Sequence, residues 1–329
     1  MSTAILPITT APTLVSDERI AMSLAVLEGQ SVDVHPWLSC RYANIKYDPL
    51  ALNVFDLCED DPWFAREGVF FKSLFSCDRG MLGFDKEYLL EVISFSIENG
   101  EYVTGAFDAF YVPSKSEFGA LHRKRYFLIY GIDTEHALLY LLGETAESSF
   151  GKYTLSFDDF WASIESKENR KARLEFLRFN SDFIFKPDLR CLRDSICKFL
   201  GFAAVNVSHE SCDHSVCGLS ALSKMREQLR ELGGVREFVD RNFYLKFCDF
   251  QTFVTLRCES LSANFGDLTD MAAKLRTASE CFFELCQRFN HKDGEVSASD
   301  IIYCFDQIVD LDRFAYEQIY ARVISNLNY

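Results

Sequence analysis

RYFLIYGIDTEHALLYLL, residues 125–142, is the stretch on which the reading of the fold turns. Arg125–Ile132 and Ala137–Leu142 are rich in aromatic and aliphatic residues, the composition that suits a pleated, packed surface. Gly131 to Glu135 lies between them, with a glycine and an aspartate supplying turn chemistry, so the pair reads as a β-hairpin. Working outward, Glu101–Val112 is a further β-rich run, and GVFFKSLFSC (68–77) has strand-like aromatic content. Leu174–Phe185 is one more aromatic, partly alternating stretch. DKEYLLEVISFS (85–96) has the apolar spacing of an amphipathic helix with an acidic first turn. TLSFDDFWASI (154–164) opens another helix, with Ser156 as N-cap and Asp158 and Asp159 in its first turn.

Beyond the charged segment Lys167–Lys171 the periodicity becomes helical, over roughly 188–200, 217–232, 235–262, 266–290 and 298–325. The expected class is α+β, in three sections. Residues 1–30 form a lead-in with Pro7, Pro12 and a short helix; residues 31–170 form a domain built on an antiparallel sheet; residues 171–329 form a mainly helical domain.

Composition bounds the partners. A hydrophobic fraction of 48% supports a sizeable core, and 31 phenylalanines supply either core area or a lining for acyl chains. The net charge of −15 repels nucleic acid and anionic membrane at long range, so neither is an expected partner. No apolar run reaches the roughly 18 residues of a membrane span. Met1–Gln30 lacks the basic start and apolar core of a signal peptide. The expectation is therefore cytoplasmic, with the 12 cysteines reduced.

Two segments invite a metal and fail on spacing. His209, Cys212, His214 and Cys217 crowd one loop, whereas tetrahedral sites separate their ligand pairs by a dozen residues or more. Asn290–Asp300 echoes a calcium loop around Gly294, but Phe289 and His291 stand where the first two carboxylates belong. No metal is expected.

LSCRYAN (38–44), NGEYV (99–103) leading to FDAFYVP (107–113), FLIYGID (127–133), FDDF (157–160), FIF (183–185) and RNFYLK (241–246) occur in order. Together they resemble the butirosin biosynthesis protein H family, over about residues 35 to 262. The resemblance implies a papain-like cysteine domain followed by a helical domain, in proteins found with nonribosomal-peptide gene clusters. It implies an acyltransferase or amide-forming enzyme that takes an acyl or aminoacyl thioester of an acyl or peptidyl carrier protein to a small-molecule amine. Cys40 is then the nucleophile, expected before a helix starting near Arg41, where a helix N-terminus favours the thiolate. No cofactor is expected beyond the phosphopantetheine arm of the carrier.

This chain departs from the family pattern at the base. Counting back from Gly131, the family's histidine position holds Arg125, and the partner carboxylate falls near Gly143. His122, three residues earlier, is the alternative base, with Asp133 or Asp108 to orient it. Lys115, His122, Arg123, Lys124 and Arg125 form the densest basic stretch: either a dock for an acidic carrier or its phosphate, or a solvated loop. Arg123, Lys124 and Arg125, with Asn44 and Tyr111, are the candidate carrier- and substrate-binding residues. Two other readings stay open: a non-catalytic carrier-binding accessory protein on a degenerate papain-like domain, and a cysteine peptidase or amidase. Self-association as a homodimer also stays open.

Overall fold

A computed structural model describes residues 3–40, 45–48, 54–57, 70–78, 85–146, 149–169, 173–182, 189–202, 216–231, 241–265, 268–290 and 296–327. The protein is a mixed α+β chain of two compact units. One combines Met1–Val34 with Asp61–Ile184, the other His35–Asp60 with Phe185–Tyr329.

In the first unit the strands are β1 (Thr3–Ile5), β4 (Phe71–Asp78), β5 (Glu101–Asp108), β6 (Lys124–Asp133), β7 (Leu138–Glu144), β8 (Phe150–Ser156) and β9 (Arg173–Phe179). The second unit holds β2 (Ile45–Asp48), β3 (Val54–Leu57) and β10 (Val216–Cys217). The larger sheet is antiparallel in the order β4-β9-β5-β6-β7-β8, and β1 pairs with β6 at Gly131–Asp133, beyond the end of β5. The hairpin around residues 131–135 is β6–β7, in register Asp133↔Leu138. β5 is buried along almost its whole length, because helices cover both faces of the sheet.

Side-chain alternation separates those faces. Val103, Phe107, Phe127, Ile129 and Phe176 point to a core shared with Leu89, Ile93 and Ile97 of α3 (Lys86–Glu98) and Phe157, Phe160 and Ile164 of α4 (Phe157–Glu165). Tyr102, Thr104, Leu128 and Leu177 point the other way, towards Met22 and Val26 of α1 (Glu18–Gly29), leaving a cavity of only about 20 Å³. The caps are side-chain carboxylates or hydroxyls: Asp17 accepts from the Arg19 amide at 2.8 Å, Asp85 from that of Tyr88 at 2.8 Å and Ser156 from that of Asp159 at 3.1 Å. Ser156 is thus the expected cap, but Thr154 and Leu155 belong to β8 rather than to the helix. Gly105 lets neighbours close in, since a Cβ there would lie 2.7 Å from the Arg173 carbonyl oxygen.

The expected boundary near residue 170 is corrected on two counts. β9 pairs with both β4 and β5, so the first unit extends to Ile184. Residues 35–60, read as part of the first domain, join the second unit instead.

In that unit β2 pairs with both β3 and β10, and the described helices are α2 (His35–Cys40), α5 (Leu189–Leu200), α6 (Gly218–Glu231), α7 (Arg241–Phe265), α8 (Thr269–Asn290) and α9 (Ala298–Leu327). Phenylalanines pack densely in their core. The Phe247 ring sits 5.4–5.6 Å from those of Phe243, Phe282 and Phe305, and Phe199 stacks on Tyr316 at 3.8 Å. Each such buried ring contributes roughly 1.5–3 kcal/mol over an exposed one. Among the described residues, no helix is long and apolar enough to cross a membrane.

Candidate functional site

β5 ends at Asp108, and the chain turns at once into a 3₁₀ turn, Ala109–Tyr111. Asp108 caps that turn by accepting from the Phe110 amide at 3.2 Å. The following loop is folded back by hydrogen bonds from the Ala109 amide to the Arg123 carbonyl (2.8 Å) and from the Gly119 amide to the Phe110 carbonyl (2.9 Å). This return brings His122 over the end of β5. Its Nδ1 lies 2.7 Å from Asp108 Oδ2, and its ring stacks on Phe110 with centroids 4.3 Å apart. Tyr111 flanks the same ring at 6.1 Å. Ser166, which follows α4, donates to the same Asp108 oxygen at 2.5 Å.

The two side chains differ in exposure in a useful way: Asp108 is 2% exposed and His122 44%. Burial pushes the Asp108 carboxyl up, but hydrogen bonds from Ser166, His122 and the Phe110 amide outweigh it and hold it below its ordinary value. A carboxylate at Nδ1 assigns the Nδ1–H tautomer and leaves Nε2 as the basic nitrogen. A solvent-facing imidazole oriented from behind by a buried carboxylate is the base–orienter half of a nucleophilic site.

Of the two carboxylates considered for orienting His122, geometry selects Asp108. Asp133 is occupied elsewhere: it accepts from the Glu135 and His136 amides at 3.0 and 3.1 Å, and lies 2.9 Å from His136 Nδ1. It therefore shapes the β6–β7 turn.

Arg125, at the position where the resemblance implied a histidine, is tied into ion pairs with Glu117 (2.7 Å) and Glu144 (3.0 Å). The basic stretch is accordingly less open than its composition suggests. Lys115 is 4% exposed, with Nζ 3.5 Å from Glu18 and over the Tyr153 ring at 5.0 Å, and it donates to the Glu144 carbonyl. Arg123 lies 3.7 Å from Glu117, and Lys124 lies over the Tyr126 ring at 5.8 Å.

Near Gly143, where the resemblance implied a carboxylate, the structure brings in Glu18 from another segment. Glu18, the first residue of α1, accepts from the Glu144 amide at 2.8 Å, and its Oε1 would be 2.9 Å from a Cβ on Gly143. Burial pushes the Glu18 carboxyl up and the Lys115 ammonium down, both towards the neutral form. Sequence reading missed Glu18, Glu117 and Ser166. Each reaches its partner only through the fold, and Ser166 and Asp108 are 58 residues apart.

Cys40 belongs to the second unit, where it is the last residue of α2. The helix expected to start near Arg41 falls outside the described residues. Asn44 and the rest of 41–44 lie outside the described residues. The backbone beside Cys40 is anchored from α7, where Arg257, 0% exposed, donates from Nε to the Ser39 carbonyl at 2.8 Å. Among the described residues no group of His, Cys, Asp and Glu side chains could hold a metal ion. The crowded loop's His209, Cys212 and His214 fall outside them. In the echoed calcium loop, Ser297 and Asp300 hydrogen-bond each other at 2.7 Å as the cap of α9. Neither a protein-family model nor a curated protein matches the chain.

Proposed function

We propose that the protein is an acyltransferase or amide-forming enzyme of natural-product, nonribosomal-peptide biosynthesis, passing the acyl or aminoacyl group of a carrier-protein thioester to an amine, with His122 as general base. The observation that carries this reading is the 2.7 Å contact between His122 Nδ1 and buried Asp108 Oδ2. An amine must lose a proton as it attacks a thioester carbonyl, and an imidazole oriented through Nδ1 takes it at Nε2. Tyr111 and Phe110, packed about the ring, supply apolar surface for the donor's acyl portion. Cys40 as a covalent way-station enters the proposal through the family resemblance alone.

Turnover of an acyl-pantetheine donor with a panel of amines tests the reading. Replacing His122 with Gln lowers kcat by roughly 10²–10⁴-fold if the imidazole is the base. Unchanged turnover in that variant excludes it. Intact-protein mass spectrometry after incubation with the donor reports separately on Cys40: an acyl adduct lost in Cys40→Ala establishes a covalent step. Turnover that survives Cys40→Ala assigns the chemistry to direct attack.

The non-catalytic carrier-binding alternative has one observation in its favour. The family's base position holds the guanidinium of Arg125, which is engaged with Glu117 and Glu144 and cannot accept a proton at neutral pH. Carrier binding without turnover of any donor and amine decides for it.

A further inference from the structure

We propose that Cys281 and Cys304 form a reversible intramolecular disulfide by exchange with a low-molecular-weight disulfide of the glutathione class. The two thiols lie on adjacent helices of the second unit, Cys281 on α8 and Cys304 on α9. Their sulfurs are 3.4 Å apart, with the Cys304 thiol donating to Cys281. That is contact distance for two sulfurs, and the approach to a bond of about 2.05 Å needs side-chain rotation only where the Cβ atoms already face each other.

The pair is asymmetric in the way exchange chemistry requires. Cys281 is exposed and meets a reagent from solvent, whereas Cys304 is partly buried behind it. Burial and the hydrogen bond to Cys281 push the Cys304 thiol up to about 12. Cys304 therefore keeps its proton, and its S–H points at the Cys281 sulfur, the one of the pair that faces solvent. Cys258 and Cys286, by contrast, are buried and pushed up to about 12 by that burial, as expected for core thiols that stay inert.

The reaction balances with the disulfide as its only oxidant. The Cys281 thiolate attacks one sulfur of the reagent, breaking its S–S bond and releasing one thiol. The Cys304 sulfur then attacks Cys281 Sγ, gives its proton to water, and expels the second thiolate, which takes up a proton. Two protein thiols and one small disulfide become one protein disulfide and two small thiols. Because Cys304 is already in contact with Cys281, the second step is intramolecular and the mixed disulfide is short-lived. The consequence is a covalent tie between α8 and α9. In a reducing compartment such a bond forms only when the glutathione pool becomes oxidised, which makes the pair a redox-responsive modification site.

The experiment uses the full-length reduced protein, incubated with oxidised glutathione and quenched in acid. Non-reducing peptide mapping is needed because the chain has 12 cysteines. The expected product carries a Cys281–Cys304 cross-link, retains no glutathione at either residue, reverts with dithiothreitol and melts at a higher Tm than the reduced protein. Cys304→Ser should stop at a glutathionyl adduct on Cys281, and Cys281→Ser should leave Cys304 unmodified. A stable glutathionyl adduct on Cys281 of the wild-type protein, a cross-link between other cysteines only, or no reaction at Cys281 overturns the proposal. The wild-type measurement decides by itself, so it does not depend on how either variant folds.

Discussion

Asp108 and His122, fourteen residues apart, are brought to 2.7 Å by the return of one loop over the end of β5. The relationship makes Asp108 a positioning residue: it is buried, and it acts on the reaction only through the imidazole. Asp108→Asn should lower kcat on the order of 10²-fold or more, by freeing the ring to adopt the wrong tautomer or orientation, while leaving KM near the wild-type value. The same carboxylate has a pH signature. Its folded-state pKa lies below the ordinary 3.8. Its contribution to stability is therefore present above about pH 4 and lost as the pH falls through the depressed value. Chemical unfolding below pH 4 should show a shallower acid loss in Asp108→Asn than in the wild-type protein.

Gly105 gives a purely structural prediction. Its missing side chain lets β9 and Phe127 approach, with the Arg173 carbonyl 2.7 Å and the Leu174 Cδ2 2.9 Å from where a Cβ would stand. Backbone cannot retreat as a flexible side chain can, so Gly105→Ala should cost about 1–3 kcal/mol in urea unfolding. Gly100→Ala probes a different effect, because there a Cβ meets nothing but φ is +79°. Its cost is expected near the 1–2 kcal/mol of a left-handed backbone without a glycine.

Much of the sheet and most helices are legible in the sequence because their signals are local. The Arg125–Leu142 hairpin announces itself by composition and by Gly131 and Asp133, and α3 by spacing that places Leu89, Ile93 and Ile97 on one face. Ser156 is legible as a cap because capping is a short-range hydrogen bond. What escapes is long-range pairing. Nothing near Arg173 reveals that β9 lies between β4 and β5, and nothing near Glu18 reveals that its carboxylate arrives at Gly143. Counting along a strand puts Arg125 at the base position. The sequence also offers His122 with either Asp133 or Asp108, and the choice of Asp108 depends on the 3₁₀ turn and the loop closure at Gly119, which spacing alone does not encode.

Arg257 should be among the most sensitive positions in the second unit. It is fully buried and donates to the Ser39 carbonyl and, at 2.8 Å, to the Tyr316 hydroxyl. Replacing it with Ala removes both of these hydrogen bonds and opens a cavity beneath α2, a loss of about 3–5 kcal/mol by the usual cost of breaking a buried charged network. Arg257→Lys keeps the charge but not the fork that spans the two acceptors, so it should fall between wild type and Ala. Urea unfolding followed by circular dichroism measures the series.

Asp312 sets a pH dependence opposite in sign to that of Asp108. It is 0% exposed, accepts from Gln251 Nε2 at 2.7 Å, and has its other oxygen without a hydrogen-bond partner among the described residues. Burial pushes its carboxyl up from 3.8 to about 8, against the lowering effects of Gln251 and of Arg257. The titratable groups coupled to it are Arg257 and Cys258 on α7 and Tyr316 on its own helix, and the last two are pushed up by burial to about 12 or beyond. Asp312 is thus the group among them that titrates between pH 4 and 8. A raised carboxyl binds its proton more tightly in the folded state than in the unfolded one. Its stabilising contribution is therefore full below pH 3.8 and disappears as the pH rises through about 8. The second unit should lose a few kcal/mol across that window. Asp312→Asn, which mimics the protonated acid at every pH, should unfold at a nearly constant urea midpoint from pH 5 to pH 8.5 while the wild-type midpoint declines. Equal slopes for the two proteins would show that Asp312 ionises no later than an ordinary carboxylate.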